Sequence, residues 1–165
     1  MKLTSKTAYG VQALYDLAFH GDGRPVQARE MAARQNIPLR YLEQILQDLR
    51  RVGLVEAKRG PGGGYALARA ADGIRLDQVV AALDGPIGTL LSFEPPAAPR
   101  RRTGRKKRGA RETGAAGSDV PSLVWRELAG QLEGLLAAIT LADLVQRAEA
   151  AGVARAGSPP QMYFI

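Results

Sequence analysis

The chain has 165 residues, 45% of them hydrophobic, and a formal net charge of +7. That length suits one domain, or one domain with a helical appendage, and the apolar content suffices for a buried core. With no cysteine and a single histidine, His20, the sequence excludes disulfides, thiolate metal sites, Cys nucleophiles and multi-histidine metal centres.

From Thr4 to Phe19, Ala8, Val11, Leu14, Tyr15 and Ala18 recur at helical spacing. Thr4 or Ser5 can cap the start, and GDGRP at 21–25 ends the helix. Residues 27–35 form a second, shorter helix with Ala28, Met31 and Ala32 on one face. Asn36-Ile37-Pro38 breaks it, and Pro38 is tolerated at the start of a third helix that runs to about Val52. Leu42, Ile45, Leu46 and Leu49 face inward, and Gly53 is the C-terminal stop. In 54–68 the alternation of Val55 and Ala57 with Glu56 and Lys58 predicts a β-hairpin around the tip RGPGGG. A fourth helix follows at roughly 76–84. The stretch from Gly85 to Pro121 is rich in Pro, Gly, Ala and Arg and reads mostly as a mobile linker. A long helix spans about 121–138, and a short one 141–150, with Thr140 as its cap and Asp143 favouring its N-terminal dipole. The predicted organisation is therefore a DNA-binding unit at 1–84, a flexible linker at 85–120, dimerisation helices at 121–151 and a tail at 152–165. The fold class is mainly α with a small β-hairpin wing.

Helix, short helix, turn, longer helix and Gly-rich hairpin is the layout of a winged helix-turn-helix. The third helix can enter a major groove, where Arg forks onto guanine, Gln bridges adenine and Glu accepts from the cytosine amino group. Its first turns expose Arg40, Tyr41, Glu43, Gln44 and Gln47. Arg59 at the hairpin tip is placed to enter a minor groove or hold a phosphate. Glycines 62–64 let the tip approach a duplex without a Cβ in the way. The competing interpretation is a tight turn beside a solvated helix face.

The stretch IPLRYLEQILQDLRRVGLVEAKRGPGGGYALA, with KLTSKTAYGVQALYDLA before it, resembles the bacterial winged helix-turn-helix regulators of the IscR/CymR type. The resemblance covers 1–94 and resumes at 122–144. It implies a homodimeric repressor on a partly palindromic operator. It implies base contacts from Arg40, Tyr41, Glu43 and Gln44, and wing contacts from Arg59, Pro61, Gly62 and Gly63. Iron–sulfur members of the family place three cysteines between the fourth helix and the long helix, and often a histidine just before the long helix. This chain has no cysteine, and Ser122 stands at the histidine's place. No cofactor is expected by that route. The passage LDGPIGTLLSFE at 83–94 and the ending QMYFI are similar to the cluster-less cysteine metabolism repressors of the family. That likeness implies control of cysteine metabolism with cysteine synthase as a protein partner. Met162, Tyr163, Phe164 and Ile165 would then dock, the Ile165 carboxylate imitating a substrate carboxylate. The tip can equally fold back onto the protein's own core.

Trp125, Leu128, Leu132, Leu135 and Ile139 follow spacings of 3, 4, 3 and 4, the pattern of a short coiled-coil seam, and predict dimerisation; the alternative is an intramolecular helix that covers the winged domain with the same stripe. The tract RRRTGRKKRGAR at 100–111 holds eight Lys and Arg, more than the whole net charge. It is either a solvated run or a phosphate clamp on a flexible arm. His20 reads as a helix-end residue favoured by the dipole. No metal-ligand spacing, no nucleophile with a base and no P-loop lysine point to an enzyme. An enzyme-binding module working through its tail is the reading from another class, and a regulator answering to another ligand the rival within the family. No stretch is long and apolar enough to span a membrane, and Asp16 falls too early for a signal peptide. The expected location is cytoplasmic.

Overall fold

A computed structural model of the chain describes residues 4–21, 23–91 and 120–156. The basic tract 100–111, most of the expected linker and the terminal Met162, Tyr163, Phe164 and Ile165 lie outside the described residues.

The first four helices and the hairpin follow the order read from periodicity: α1 (Ser5–His20), α2 (Ala28–Gln35), α3 (Leu39–Arg51), β1 (Val55–Lys58), β2 (Gly64–Leu67) and, after a 3₁₀ turn at Ala71–Gly73, α4 (Leu76–Leu83). The helix α1 is central. It packs against α2, α3, α4 and β2, and also against α7 (Leu141–Ala150). Its buried face is therefore Thr7, Gly10, Ala13, Leu14, Leu17 and Phe19, while Ala8 from the expected stripe is exposed. Gly10 costs about 1 kcal/mol of helix propensity relative to Ala. Its missing side chain admits α4, since a Cβ there would lie 2.2 Å from Leu83 Cδ1.

Asp16 lies on the same helix and has no exposed surface. Arg34 grips it bidentately, Nε donating at 3.0 Å and Nη2 at 2.7 Å, and Gln35 Nε2 adds a third bond at 3.0 Å. The pairing fixes α2 against α1, and the carboxylate's hydrogen bonds hold the Arg34 guanidinium above its ordinary pKa. A buried carboxylate is tolerated only when paired in this way. At the start of α1, the Thr4 side chain leaves its own helix uncapped and donates, with its backbone N–H, to Asp84 at the end of α4.

The segment expected to be linker contains a short helix, α5 (Ile87–Leu91). With α6 (Val120–Ala137) and α4 it forms a second apolar cluster, in which Val80, Ile87 and Ala129 are buried and Leu91, Leu132 and Leu136 pack against them. Nor does α7 stand apart with α6 as a dimerisation arm. Leu141 is fully buried in the main core, and Leu144 packs against that core. Thr140 caps α7 as expected, its Oγ1 accepting from Asp143 N at 3.2 Å while Asp143 Oδ2 accepts from Thr140 N at 2.7 Å. A backbone bridge ties this helix to α4: Leu76 N donates to Ile139 O at 2.9 Å and Leu141 N to Ile74 O at 3.0 Å.

Beyond α7 the chain returns to the end of α1. Ala156 N donates to His20 Nδ1 at 2.8 Å, and Arg155 lies over the Phe19 ring, 5.2 Å from its centroid. His20 thus accepts a bond as a neutral imidazole, which its expected role as a cation at the helix end would not allow. Burial, with the Arg34 and Arg155 charges, lowers its pKa against the pull of Asp16.

Candidate nucleic-acid interface

The third helix separates its two faces sharply. Leu42, Ile45, Leu46 and Leu49 are fully buried, whereas Arg40, Glu43, Gln44 and Gln47 are exposed. Pro38 occupies the N-cap, and Asn36 takes a left-handed conformation (φ 52°) to turn the chain from α2. Tyr41 departs from expectation. It is half-buried, and its ring stands edge-on to Tyr9 at 5.9 Å, so packing against α1 holds it rather than solvent surrounding it. Asp48 would oppose a phosphate, but Lys6 Nζ at 2.7 Å and Arg51 Nη1 at 2.7 Å neutralise it. The Lys6 bond first, and both cations by charge, hold its carboxyl below the ordinary range.

The helix is coupled directly to the wing. Leu54 N donates to Leu49 O at 3.0 Å across the turn at Gly53, and β1 then pairs antiparallel with β2, Val55 opposite Leu67 and Lys58 opposite Gly64. Arg59 and Pro61 are exposed at the tip. The glycines there answer first to the fold. Gly60 and Gly62 have positive φ, and a Cβ on Gly63 would lie 2.4 Å from Lys58 O. A Cβ on Gly64 would lie 2.4 Å from Val26 O, because Val26 and Tyr65 exchange two backbone bonds of 2.8 Å. Val26 thereby adds a third short rung to the sheet. Open access for a duplex, the reason first read for glycines 62–64, is needed at most at Gly62, which has nothing near it.

The expected seam on α6 divides into two. Leu132 turns toward Val80 and Ile87, and Ile139 is half-buried in the bridge to α4. Trp125, Leu128 and Leu135 remain exposed, joined by Leu123 and Val124, which the 3-4 spacing passed over.

A family profile described as "Rrf2: Iron-dependent Transcriptional regulator" matches residues 3–147. The HTH-type transcriptional regulator IscR of Erwinia tasmaniensis is 37% identical over 151 residues, covering 90% of this chain and 81% of that protein. Among solved structures, T. potens IscR superposes with a TM-score of 0.67 at 32% identity, over 94% of this chain and 93% of that one. CymR, titled the global cysteine regulator of B. subtilis, also gives 0.67, at 27% identity over 89% and 98%. These relatives are transcriptional regulators, and nothing in the comparison points to an enzyme. The profile's iron raises a question of ligands. Protein-held iron–sulfur clusters rely on thiolates, and this sequence has none. Its one imidazole has Nδ1 engaged with Ala156 N. Among the described residues no three His, Asp or Glu side chains converge on a metal position. The donor set does not fit a cluster.

Proposed function

The chain belongs to the Rrf2 family of transcriptional regulators, and from that premise we propose that it is a homodimeric, cluster-free repressor that reads duplex DNA through α3 and the wing. The observation that carries the DNA contact is the division of α3, whose apolar face is wholly buried while Arg40, Glu43 and Gln44 stand in solvent beside a rigidly attached hairpin. Arg40, Glu43 and Gln44 contact bases, with Tyr41 braced behind them, and Arg59, Pro61, Gly62 and Gly63 supply the wing contact. A binding-site selection followed by fluorescence anisotropy tests it. The wild-type chain enriches a partly palindromic site, and Glu43→Ala shifts the selected bases. An unchanged preference in that variant overturns direct readout by α3.

Homodimerisation is supported by the exposed apolar stripe of α6. The tract 100–111 adds phosphate contacts; its deletion flattens the slope of log K against log salt, each neutralised phosphate contributing about −0.9. A colourless, iron-free protein after anaerobic purification checks the cluster-free assignment, and stoichiometric iron with sulfide defeats it.

The finer assignment is control of cysteine metabolism with cysteine synthase as partner. Its support is the sequence likeness at 83–94 and in the run QMYFI, and the structural likeness to a cysteine regulator. Removing Ile165 abolishes binding to purified cysteine synthase and leaves DNA binding intact. No binding of cysteine synthase by the intact chain, with the tip packed on the protein's own core, makes the tail structural, and binding that survives the deletion rules out Ile165 as the anchor.

A further inference from the structure

A cleft of about 330 Å³ lies between the last turns of α1, the outer side of β2 and the loop that leaves the wing. Leu17, Ala66 and Leu67 form its apolar surface, and Arg24 and Arg69 also line it. Among the described residues no acidic side chain does. Arg69 is held in place because its Nη2 donates to Gln78 Oε1 at 2.9 Å, which leaves its remaining N–H donors for a second acceptor. Arg24 forms no ion pair with any described residue. Its backbone is anchored through Arg24 N to Gly21 O at 2.8 Å.

The geometry points to this cleft as an effector site for a small organic dianion, an aliphatic dicarboxylate whose ends pair with Arg24 and Arg69 while its methylenes cover Leu17, Ala66 and Leu67. A carboxylate matches the planar fork of a guanidinium, and the pairing is strongest when the fork is already oriented, as Arg69 is. The volume sits at the small end of the range for ligand pockets, which selects a small metabolite over a cofactor.

The site is wired to the proposed DNA contact. Ala66 and Leu67 belong to the wing strand itself. Arg24 is two residues from Val26, whose two bonds to Tyr65 set the root of that strand. A ligand joining Arg24 to Arg69 therefore braces the wing against α1. The inference rests on the DNA-binding reading for its consequence, but not for the binding itself.

Isothermal titration of the full chain with succinate, glutarate and adipate, sulfate serving as comparator, tests it without DNA. At least one dicarboxylate binds saturably, one per chain. Arg24→Gln and Arg69→Gln each weaken it at least tenfold, and Arg126→Gln on α6 leaves it unchanged. Ala70→Phe, which obstructs the cleft from its exposed rim, abolishes binding without touching either guanidinium. No saturable binding by any of the three, or binding indifferent to all three cleft variants, overturns the site. With operator DNA added, the dicarboxylate changes DNA affinity, and DNA changes dicarboxylate affinity by the same factor. Saturable ligand binding by a chain that binds no operator, with or without ligand, would refute the DNA-binding reading and leave the site standing.

Discussion

The four apolar side chains on the inner face of α3 are fully buried, whereas five apolar side chains of α6 stand between 44% and 67% exposed. Both helices carry apolar residues at helical spacing, so composition does not separate them. What separates them is the surface each is offered. α3 lies against α1, α4 and β1, which together cover its stripe and leave its polar face to read another molecule. Among the described residues α6 meets chiefly α4 and the five-residue α5. These cover Ala129, Leu132 and Leu136 and leave the adjoining strip of Val124, Leu128 and Leu135 uncovered. One region is complete within the chain, and the other, on the dimer reading proposed above, is left for a second copy to complete.

The sharpest way to break this contrast is Leu128→Glu with Leu135→Glu. If each leucine is buried in a dimer, the pair contributes roughly 3–6 kcal/mol to association, or about two to four orders of magnitude in the dimer Kd. Sedimentation velocity reads the loss, and the urea midpoint of the isolated monomer stays where it was. Next, Arg34→Ala attacks the completed region. It strands Asp16 with Gln35 alone, and removing one partner of a buried ion pair costs about 3–5 kcal/mol. Equilibrium urea unfolding measures it, and Arg34→Met together with Asp16→Leu recovers most of the loss.

Glu43→Ala leaves both regions folded and removes about 1–3 kcal/mol of base discrimination, measured by competition between selected sites. The smallest effect concerns His20. Its pKa is lowered in the folded chain, by burial first and then by Arg34 and Arg155, with Asp16 opposing. The neutral ring is therefore the folded form. The stability it contributes is fully present above about pH 6.5, the ordinary histidine value, and is lost as pH falls through the lower folded value. One hydrogen bond, about 0.5–1.5 kcal/mol, is at stake. The protection factor of the Ala156 amide, its exchange rate relative to the intrinsic rate at each pH, falls on acidification, and His20→Phe removes that pH-dependent loss of protection.

Where residues meet near neighbours, the sequence was a good guide. The periodicity of α3, the place of the hairpin and the Thr140–Asp143 capping pair are local, and each stands where it was expected, although within the hairpin Ala57 is exposed and Ala66 is the residue β2 buries. Misreadings arose where a residue answers to a distant one. Asp16 sits on an apolar face because Arg34 and Gln35 arrive from the next helix. Thr4 looks like an N-cap and serves Asp84, eighty residues away. The 3-4 spacing on α6 was real, but a spacing does not say which neighbour covers it. Leu132 and Ile139 were assigned to a partner chain, and this chain's own α4 and α5 had already claimed Leu132. At the wing, Gly63 and Gly64 looked like concessions to DNA, and the backbone of the protein itself occupies the space their side chains would need.

The two backbone bonds joining Ile74 and Leu76 to Ile139 and Leu141 have a mechanical meaning. They clamp the C-terminal end of α6 to the unit that carries α3, while the side chains from Pro121 to Leu128 are all exposed. An 18-residue helix is about 27 Å long, and α6 is held from Ala129 onward by α4 and α5 and at its end by this clamp, so that its first half overhangs. On the proposed dimer reading, this clamp and the packing of α6 on α4 and α5 together fix how far apart two copies hold their third helices.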